Sequence, residues 1–304
     1  MPPELPLSRF AVARAAQRRA EPGWAAAARH SSRTRVLVIN DHSVPVTDEL
    51  SLIWVHPDGL ELTDVQFEAN AVLLGVDDER DYVAIVNEAA TVAAAAWVHL
   101  REVGAQLSAH DVGLAVTAVA MSQWHGSHRF CPRCGGPTSV SQAGWARVCE
   151  SDGTEHYPRT EPAMIVAVND AAGRILLGRR TGWPDGWFST LAGFVEAGES
   201  VEACVVREVQ EESGIEVDPA SLRYLGSQPW PYPASLMLGY RATAVSTDIE
   251  HDESEMAEVL WYSRSEFERA CRAEQLKVPG RVTIAWHLIA DWYGGEIPIE
   301  WSRR

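Results

Sequence analysis

The stretch from Gly193 to Ile215, GFVEAGESVEACVVREVQEESGI, constrains this chain more than any other part of it. From Glu199 onward it carries five glutamates inside a pattern that otherwise reads as one amphipathic helix. Glu208, Glu211 and Glu212 stand at i, i+3 and i+4, so a helix places them on one face, where like charges repel. Most glutamate runs are solvated helix faces and need no further reason. Here the flanking residues argue otherwise. Gly193 and Gly198 bracket a tight loop, Glu199-Ser200 reads as a helix start, and Ser213-Gly214 reads as its C-terminal cap. Val201, Cys204, Val205 and Val209 repeat at helical spacing and predict a buried stripe. The carboxylates are therefore expected at a fixed place, with a hard divalent cation as the compensating charge.

The order of residues, Gly193, five residues, Glu199, seven residues, Arg207-Glu208-Val209, one residue, Glu211-Glu212, one residue, Gly214-Ile215, resembles the complete Nudix box. Nudix hydrolases cleave a nucleoside diphosphate linked to another group. The resemblance implies an α/β/α sandwich and Mg²⁺ or Mn²⁺ held by the box glutamates. It makes Glu208 and Glu212 the main ligands and Glu211 a ligand or base, with Arg207 and Glu199 orienting them. The chemistry suits the residue types. Carboxylates alone repel a pyrophosphate, whereas divalent ions bridge the two and lower the pKa of a bound water.

Twelve residues past the box lies Ser227-Gln228-Pro229-Trp230-Pro231-Tyr232-Pro233-Ala234-Ser235. Three prolines alternating with aromatics exclude a central strand or a helix interior, and the residues alone predict a rigid loop over the sheet. The run is similar to the SQPWPxPxS signature of the NADH pyrophosphatase subfamily, with Tyr232 where phenylalanine is commoner. That resemblance implies a dinucleotide pocket lined by Gln228, Ser235, Met237 and Ile165, with Phe194 stacked on the nicotinamide and Ala285 leaving room for adenine. Glu255 is the implied further acidic metal ligand, with Glu258 as the fallback. Tyr157, in Tyr157-Pro158, is the implied aromatic that crosses a homodimer interface to close the partner's site. Core packing is the plain alternative for Phe194, and an ordinary helix alanine for Ala285.

The chain has five cysteines. No secretory signal is visible, so a reducing cytoplasm is expected and disulfides are not. Cys131-Pro132-Arg133-Cys134-Gly135 resembles a zinc knuckle, and Cys149 opens a second one. The fourth ligand is expected three residues later, where this chain has Asp152. Zinc accepts an aspartate oxygen, so the expected structural site is Cys131, Cys134, Cys149 and Asp152. His156 and His128 are alternative fourth ligands, and a zinc-free ribbon packed around Trp145 is the competing reading. Cys204 and Cys271 read as small core residues.

The fold class expected is α+β: an N-terminal α/β domain at 1–126, a zinc-ribbon insert at 127–160 and a Nudix sandwich at 161–304. Strands are predicted at Arg35–Asn40, Ser51–His56, Ala71–Val76, Tyr82–Val86, Pro162–Val168 and residues 173–180, with helix over 91–126 broken at Ala109–His110. The Arg-rich first 35 residues read as an irregular or helical arm. Forty-two acidic against 26 basic residues give a formal charge of −16, which argues against a broad nucleic-acid surface but not against gripping one terminal nucleotide. No apolar run approaches the ~20 residues of a membrane span. The expected substrate is NADH or NAD⁺, cut to NMN(H) and AMP, with the NAD cap of an RNA 5′ end as a further one. A Nudix enzyme for ADP-ribose or a dinucleoside polyphosphate, and a silent Nudix-fold RNA-binding regulator, are the alternatives.

Overall fold

The structure, a computed structural model, describes residues 5–86, 92–94 and 96–303. The chain divides into two units. One takes Arg9–Thr160 with Trp230–Ala234; the other takes Glu161–Pro229 and Ser235–Arg304 with the residues up to Ser8.

The first unit begins with a short helical turn (Ala16–Ala20) and helix α1 (Trp24–Arg29), so the N-terminal arm is helical in part. Strands β1 (Thr34–Val38), β3 (Ala71–Val76) and β4 (Asp81–Ile85) form one sheet in the order β1-β4-β3, with β1 parallel and β3 antiparallel to β4. Helix α2 (Asp64–Asn70) opens on a reciprocal Thr63–Gln66 capping box.

Two expectations fail in this unit. Ser51–His56 makes only isolated bridges, and the strand is β2 (Ser43–Val46), paired antiparallel with β5 (Ala96–His99). The helix expected over 91–126 is instead β5, the short α3 (Leu100–Val103) and α4 (Ala109–Ser127); residues 91 and 95 lie outside the described residues. Its expected break is in fact a start, because the Ser108 side chain accepts from Asp111 N at 3.0 Å and caps α4. The pairing of β5 with a strand fifty residues upstream leaves no local trace in an alanine-rich segment. Strands β6 (Thr138–Ser141), β7 (Ala146–Cys149) and β8 (Glu155–His156) form a small antiparallel ribbon.

The second unit is built on β9 (Glu161–Asn169), a strand buried on both faces. The sheet runs β12 (Arg223–Trp230), β13 (Ser235–Thr243), β9, β10 (Ile175–Arg180), β14 (Met256–Tyr262), with β11 (Leu191–Phe194) also on β9. Alternation along β9 separates two cores. Met164, Val166 and Val168 join Cys204, Val205 and Val209 of helix α5 (Val201–Ser213). Ile165 and Ala167 join Phe267 and Cys271 of α6 (Arg264–Arg272), and Leu288, Ile289 and Trp292 of α7 (Ile284–Tyr293). Each large side chain so buried contributes roughly 1.5–3 kcal/mol. The result is the expected α/β/α sandwich, and Cys204 and Cys271 are core residues as expected.

The proline-rich run is the predicted loop only in part: Pro231–Ala234 form the turn between two strands, while the residues before them are strand. Ser227–Trp230 ends β12 and Ser235 starts β13. β12 is the edge of the sheet, where a proline sacrifices no ladder donor.

Candidate active site

Helix α5 forms where the sequence places it. Ser200 caps its start by accepting from Ala203 N at 3.2 Å, and Gly214 ends it in the left-handed conformation at φ 70°. Two arginines organise the acidic groups. Arg207 makes a two-point fork with Glu199, Nε to Oε1 and Nη2 to Oε2, both at 2.8 Å. It also reaches Glu208 Oε1 at 3.0 Å, Glu211 Oε2 at 2.9 Å and the Phe194 carbonyl at 3.1 Å. Arg207 pulls the Glu199 carboxyl down to about 2, and the Glu196 backbone N–H helps. The expected orienting pair is thus joined to two of the expected ligands and to the backbone of β11.

The second group was not foreseen. Arg180, at the end of β10, donates from Nη2 to Glu212 Oε1 at 3.1 Å and to Glu255 Oε1 at 3.0 Å. The β10–β14 register slips between Arg179 and Arg180, and such a bulge re-aims a side chain. Glu258, the fallback ligand, faces Arg179 instead at 3.6 Å, so Glu255 is the residue that shares a partner with the box. An Arg-Arg pair ending a predicted strand was visible in the sequence; the bulge that aims one of them was not.

These residues fit a divalent ion. Glu212 is 2 % exposed, and its Oε2 is buried without a hydrogen-bond partner. Burial pushes its carboxyl up to about 7 against the pull of Arg180, and burial also raises Glu208 against the pull of Arg207. A cation of higher charge would satisfy the orphaned oxygen and favour the ionised forms. Gly193 completes the cradle, for a Cβ there would lie 1.9 Å from Glu208 Cδ and 2.0 Å from its Oε1.

The expected dinucleotide residues fall into two sets. Ile165 and Ala285 are buried in the layer under α7, and Met237 packs against them. Gln228 is fully buried and donates to the Val282 carbonyl at 2.9 Å, and Ser235 is buried at the start of β13. Phe194, by contrast, is 56 % exposed at the end of β11, which removes core packing as its role. Tyr157 follows the last ribbon strand and is 52 % exposed.

In the ribbon, Cys131, Cys134, Cys149 and Asp152 bring one ligand atom each to within 4.8 Å of one another, a spacing that fits one tetrahedral zinc. The two halves repeat each other. The Cys131 carbonyl accepts from Gly135 N, and the Cys149 carbonyl from Gly153 N, both at 2.9 Å, with both glycines at positive φ. Asp152 therefore occupies the place that Cys134 holds in the first knuckle. Its carboxyl is held well below the usual range, first by the Thr154 backbone N–H at 2.9 Å, so it is ionised and able to ligate. His128 is engaged with Trp124 O and Ser127, and neither it nor His156 joins the converging group.

Three family models match the chain: a NUDIX domain over residues 159–286, an NADH pyrophosphatase zinc ribbon domain over 127–157 and an NADH pyrophosphatase-like rudimentary NUDIX domain over 32–124. The chain is 38 % identical over 286 residues to the NAD-capped RNA hydrolase NudC of Mycobacterium bovis, covering 89 % of this chain and 87 % of that one. Its identity and coverage are the same for the protein of that name from Mycobacterium tuberculosis. It is 40 % identical over 210 residues to the mouse mitochondrial NAD(P)H pyrophosphatase NUDT13, covering 64 % of this chain and 59 % of that one. With this likeness running along nearly its whole length, the chain belongs to the Nudix hydrolases and, within them, to the zinc-ribbon NADH pyrophosphatase family.

Proposed function

We propose that this protein hydrolyses the pyrophosphate bond of NADH and NAD⁺ to NMN(H) and AMP, and removes NAD caps from RNA 5′ ends. The observation that carries the reading is the buried, unpartnered Glu212 oxygen beside a complete and mutually braced set of box residues. A catalytically silent chain has no reason to keep that arrangement. The relatives named as an NAD-capped RNA hydrolase and an NAD(P)H pyrophosphatase supply the substrate.

Glu208, Glu211, Glu212 and Glu255 would hold Mg²⁺ or Mn²⁺. The bound ion supplies a water of lowered pKa and offsets charge on the phosphate oxygens. Arg207 fixes Glu208 and Glu211 in place and ties them through the Phe194 carbonyl to β11. The exposed Phe194 ring offers a face for the nicotinamide. In our reading Gln228, Ser235, Met237, Ile165 and Ala285 form the remainder of the dinucleotide pocket. Cys131, Cys134, Cys149 and Asp152 hold a structural zinc. The chain acts in the cytoplasm, with domains at 1–126, 127–160 and 161–304.

The same reading makes the enzyme a homodimer in which Tyr157 of one protomer and Phe194 of its partner sandwich the ring. Mixing inactive Tyr157→Ala with inactive Phe194→Ala protein should then restore part of the turnover; failure to do so while mixed dimers form would remove the shared site. The reaction itself is tested by incubating the protein with NADH and Mg²⁺ or Mn²⁺ and separating the products. NMNH with AMP is expected, and no turnover with either metal would defeat the enzyme reading. Processing of free NADH but not of NAD-capped RNA would remove the decapping part alone.

A further inference from the structure

The two arginines of the acidic site are held in different ways. Arg207 uses a planar fork on Glu199, the strongest geometry a guanidinium can make, and is 24 % exposed. Arg180 uses a single nitrogen, Nη2, shared between Glu212 and Glu255, and is 43 % exposed. A shared single-nitrogen contact is the weaker one, and an exposed stem has room to swing. Arg180 also borders a cavity of about 110 Å³, lined with Trp183, Ser189, Thr190, Glu212 and Met256 among others. Within this lining Glu212 Oε2 and Thr190 Oγ1 are buried and lack partners. A cation is thus already seated between two carboxylates that our functional reading gives to the divalent ion, while the oxygen next to it is unused.

We propose that Arg180 is a resident counter-cation: it holds Glu212 and Glu255 together until a divalent ion takes its place, and then turns its freed donors to the substrate pyrophosphate. The inference rests on the proposed metal ligands throughout and on the proposed pyrophosphatase activity in its second half. The first half follows from like charges. A guanidinium and a divalent ion on the same two carboxylates repel, and at ~5 Å in a watery site this weakens ion binding by about tenfold. The second half follows from geometry. A released guanidinium stands beside the ion with its planar fork free, and that fork matches two phosphate oxygens.

The test is Mn²⁺ binding to the zinc-loaded full-length chain without dinucleotide, read from the electron-spin signal of free Mn²⁺, together with steady-state kinetics on NADH. Arg180→Gln keeps a hydrogen-bond donor and loses the charge. It should bind Mn²⁺ about tenfold more tightly than wild type and show a KM for NADH raised about tenfold, with kcat changed far less. Arg180→Lys restores a charge without the fork, so it should return Mn²⁺ affinity to the wild-type level and leave KM raised. A residue that merely braced the carboxylates would give weaker Mn²⁺ binding in Arg180→Gln. That result, or no change, overturns the proposal. Tighter Mn²⁺ with an unaltered KM overturns the pyrophosphate half. A wild-type chain that binds Mn²⁺ but does not cut NADH defeats the proposed function instead, and the Mn²⁺ comparison still decides the first half.

Discussion

Gly193→Ala isolates the placement of one carboxylate from the stability of the fold. The new Cβ would lie 1.9 Å from Glu208 Cδ, 2.0 Å from Oε1 and 2.3 Å from Oε2. Ordinary contact needs about 3.5 Å, so the carboxyl must retreat by roughly 1.5 Å. The obstacle is the far end of a flexible side chain, and Gly193 has no positive φ, so the backbone of β11 accepts alanine. Removing a glycine from the unfolded ensemble stabilises by about 0.4–1 kcal/mol, and an off-rotamer glutamate costs about 0.5–1.5 kcal/mol. These nearly cancel, so Tm should move by no more than ~3 °C. Activity should not survive so well. A misplacement near 1 Å costs about 10²-fold, or ~2.7 kcal/mol of barrier, and kcat/KM for NADH should fall at least that far. Product separation after timed incubation gives the rate, and a thermal melt gives the fold. Activity within about threefold of wild type on an intact fold would refute the claim that the first box glycine exists to seat Glu208. Activity lost together with a drop above ~10 °C would show that the glycine serves the sheet instead.

Other outcomes follow from the same geometry. Glu212→Gln removes the carboxylate that buries an unpartnered oxygen, so turnover should vanish while the melt is unchanged or slightly raised; retained NADH cleavage would show that the metal is held elsewhere. Elemental analysis should find about one zinc per chain, lost in Asp152→Ala and kept in Asp152→Cys; wild type below ~0.2 zinc would establish a metal-free ribbon. His125, 1 % exposed, has its pKa lowered to about 4 first by burial, then by the adjacent Arg147 and His128, against the hydrogen bond to Gly144 O. The imidazole therefore stays neutral in the fold down to about pH 4, while the unfolded chain takes up its proton below about 6.5, so the stability it contributes is complete above pH ~6.5 and shrinks as pH falls toward 4, by about 3 kcal/mol in all. Denaturant titrations at pH 7 and 5 should show a steeper loss in wild type than in His125→Gln, and parallel losses would discount the group.

How much was legible depended on how local the cause was. Helix α5 announced both ends because Ser200 and Gly214 act on neighbouring residues. The apolar run at 162–168 was recognisable as a strand, and the sandwich explains why it is apolar throughout: successive residues enter different cores. The metal knuckles were legible because ligand and turn lie within five residues of each other. Pairing of β2 with β5 was not, since a strand gains its partner across fifty residues and four alanines in a row carry neither period. The edge position of β12 was hidden for the same reason: the prolines excluded a central strand, and nothing local showed that Pro229 stands in an edge strand while Pro231 and Pro233 form the turn after it. Arg180 escaped because its aim depends on a register slip against β14, some eighty residues away.

The repulsion on the glutamate face is resolved in two layers. An i, i+3, i+4 set of carboxylates destabilises a helix by about 0.2–0.5 kcal/mol per pair, which one well-placed cation offsets. Arg207 is that cation, for it touches Glu208 and Glu211 on the helix and Glu199 before it. Arg180 serves Glu212 and Glu255. Two guanidiniums against five carboxylates still leave a formal excess of three negative charges when all are ionised. The site bears this deficit where it is most buried: burial pushes the Glu212 carboxyl up to about 7, toward its protonated form, and no fixed partner reaches its second oxygen. Leaving the deficit at the one buried oxygen, and screening it with the more exposed arginine, keeps the helix formed without metal while preserving a place that a divalent ion fills better than either proton or guanidinium.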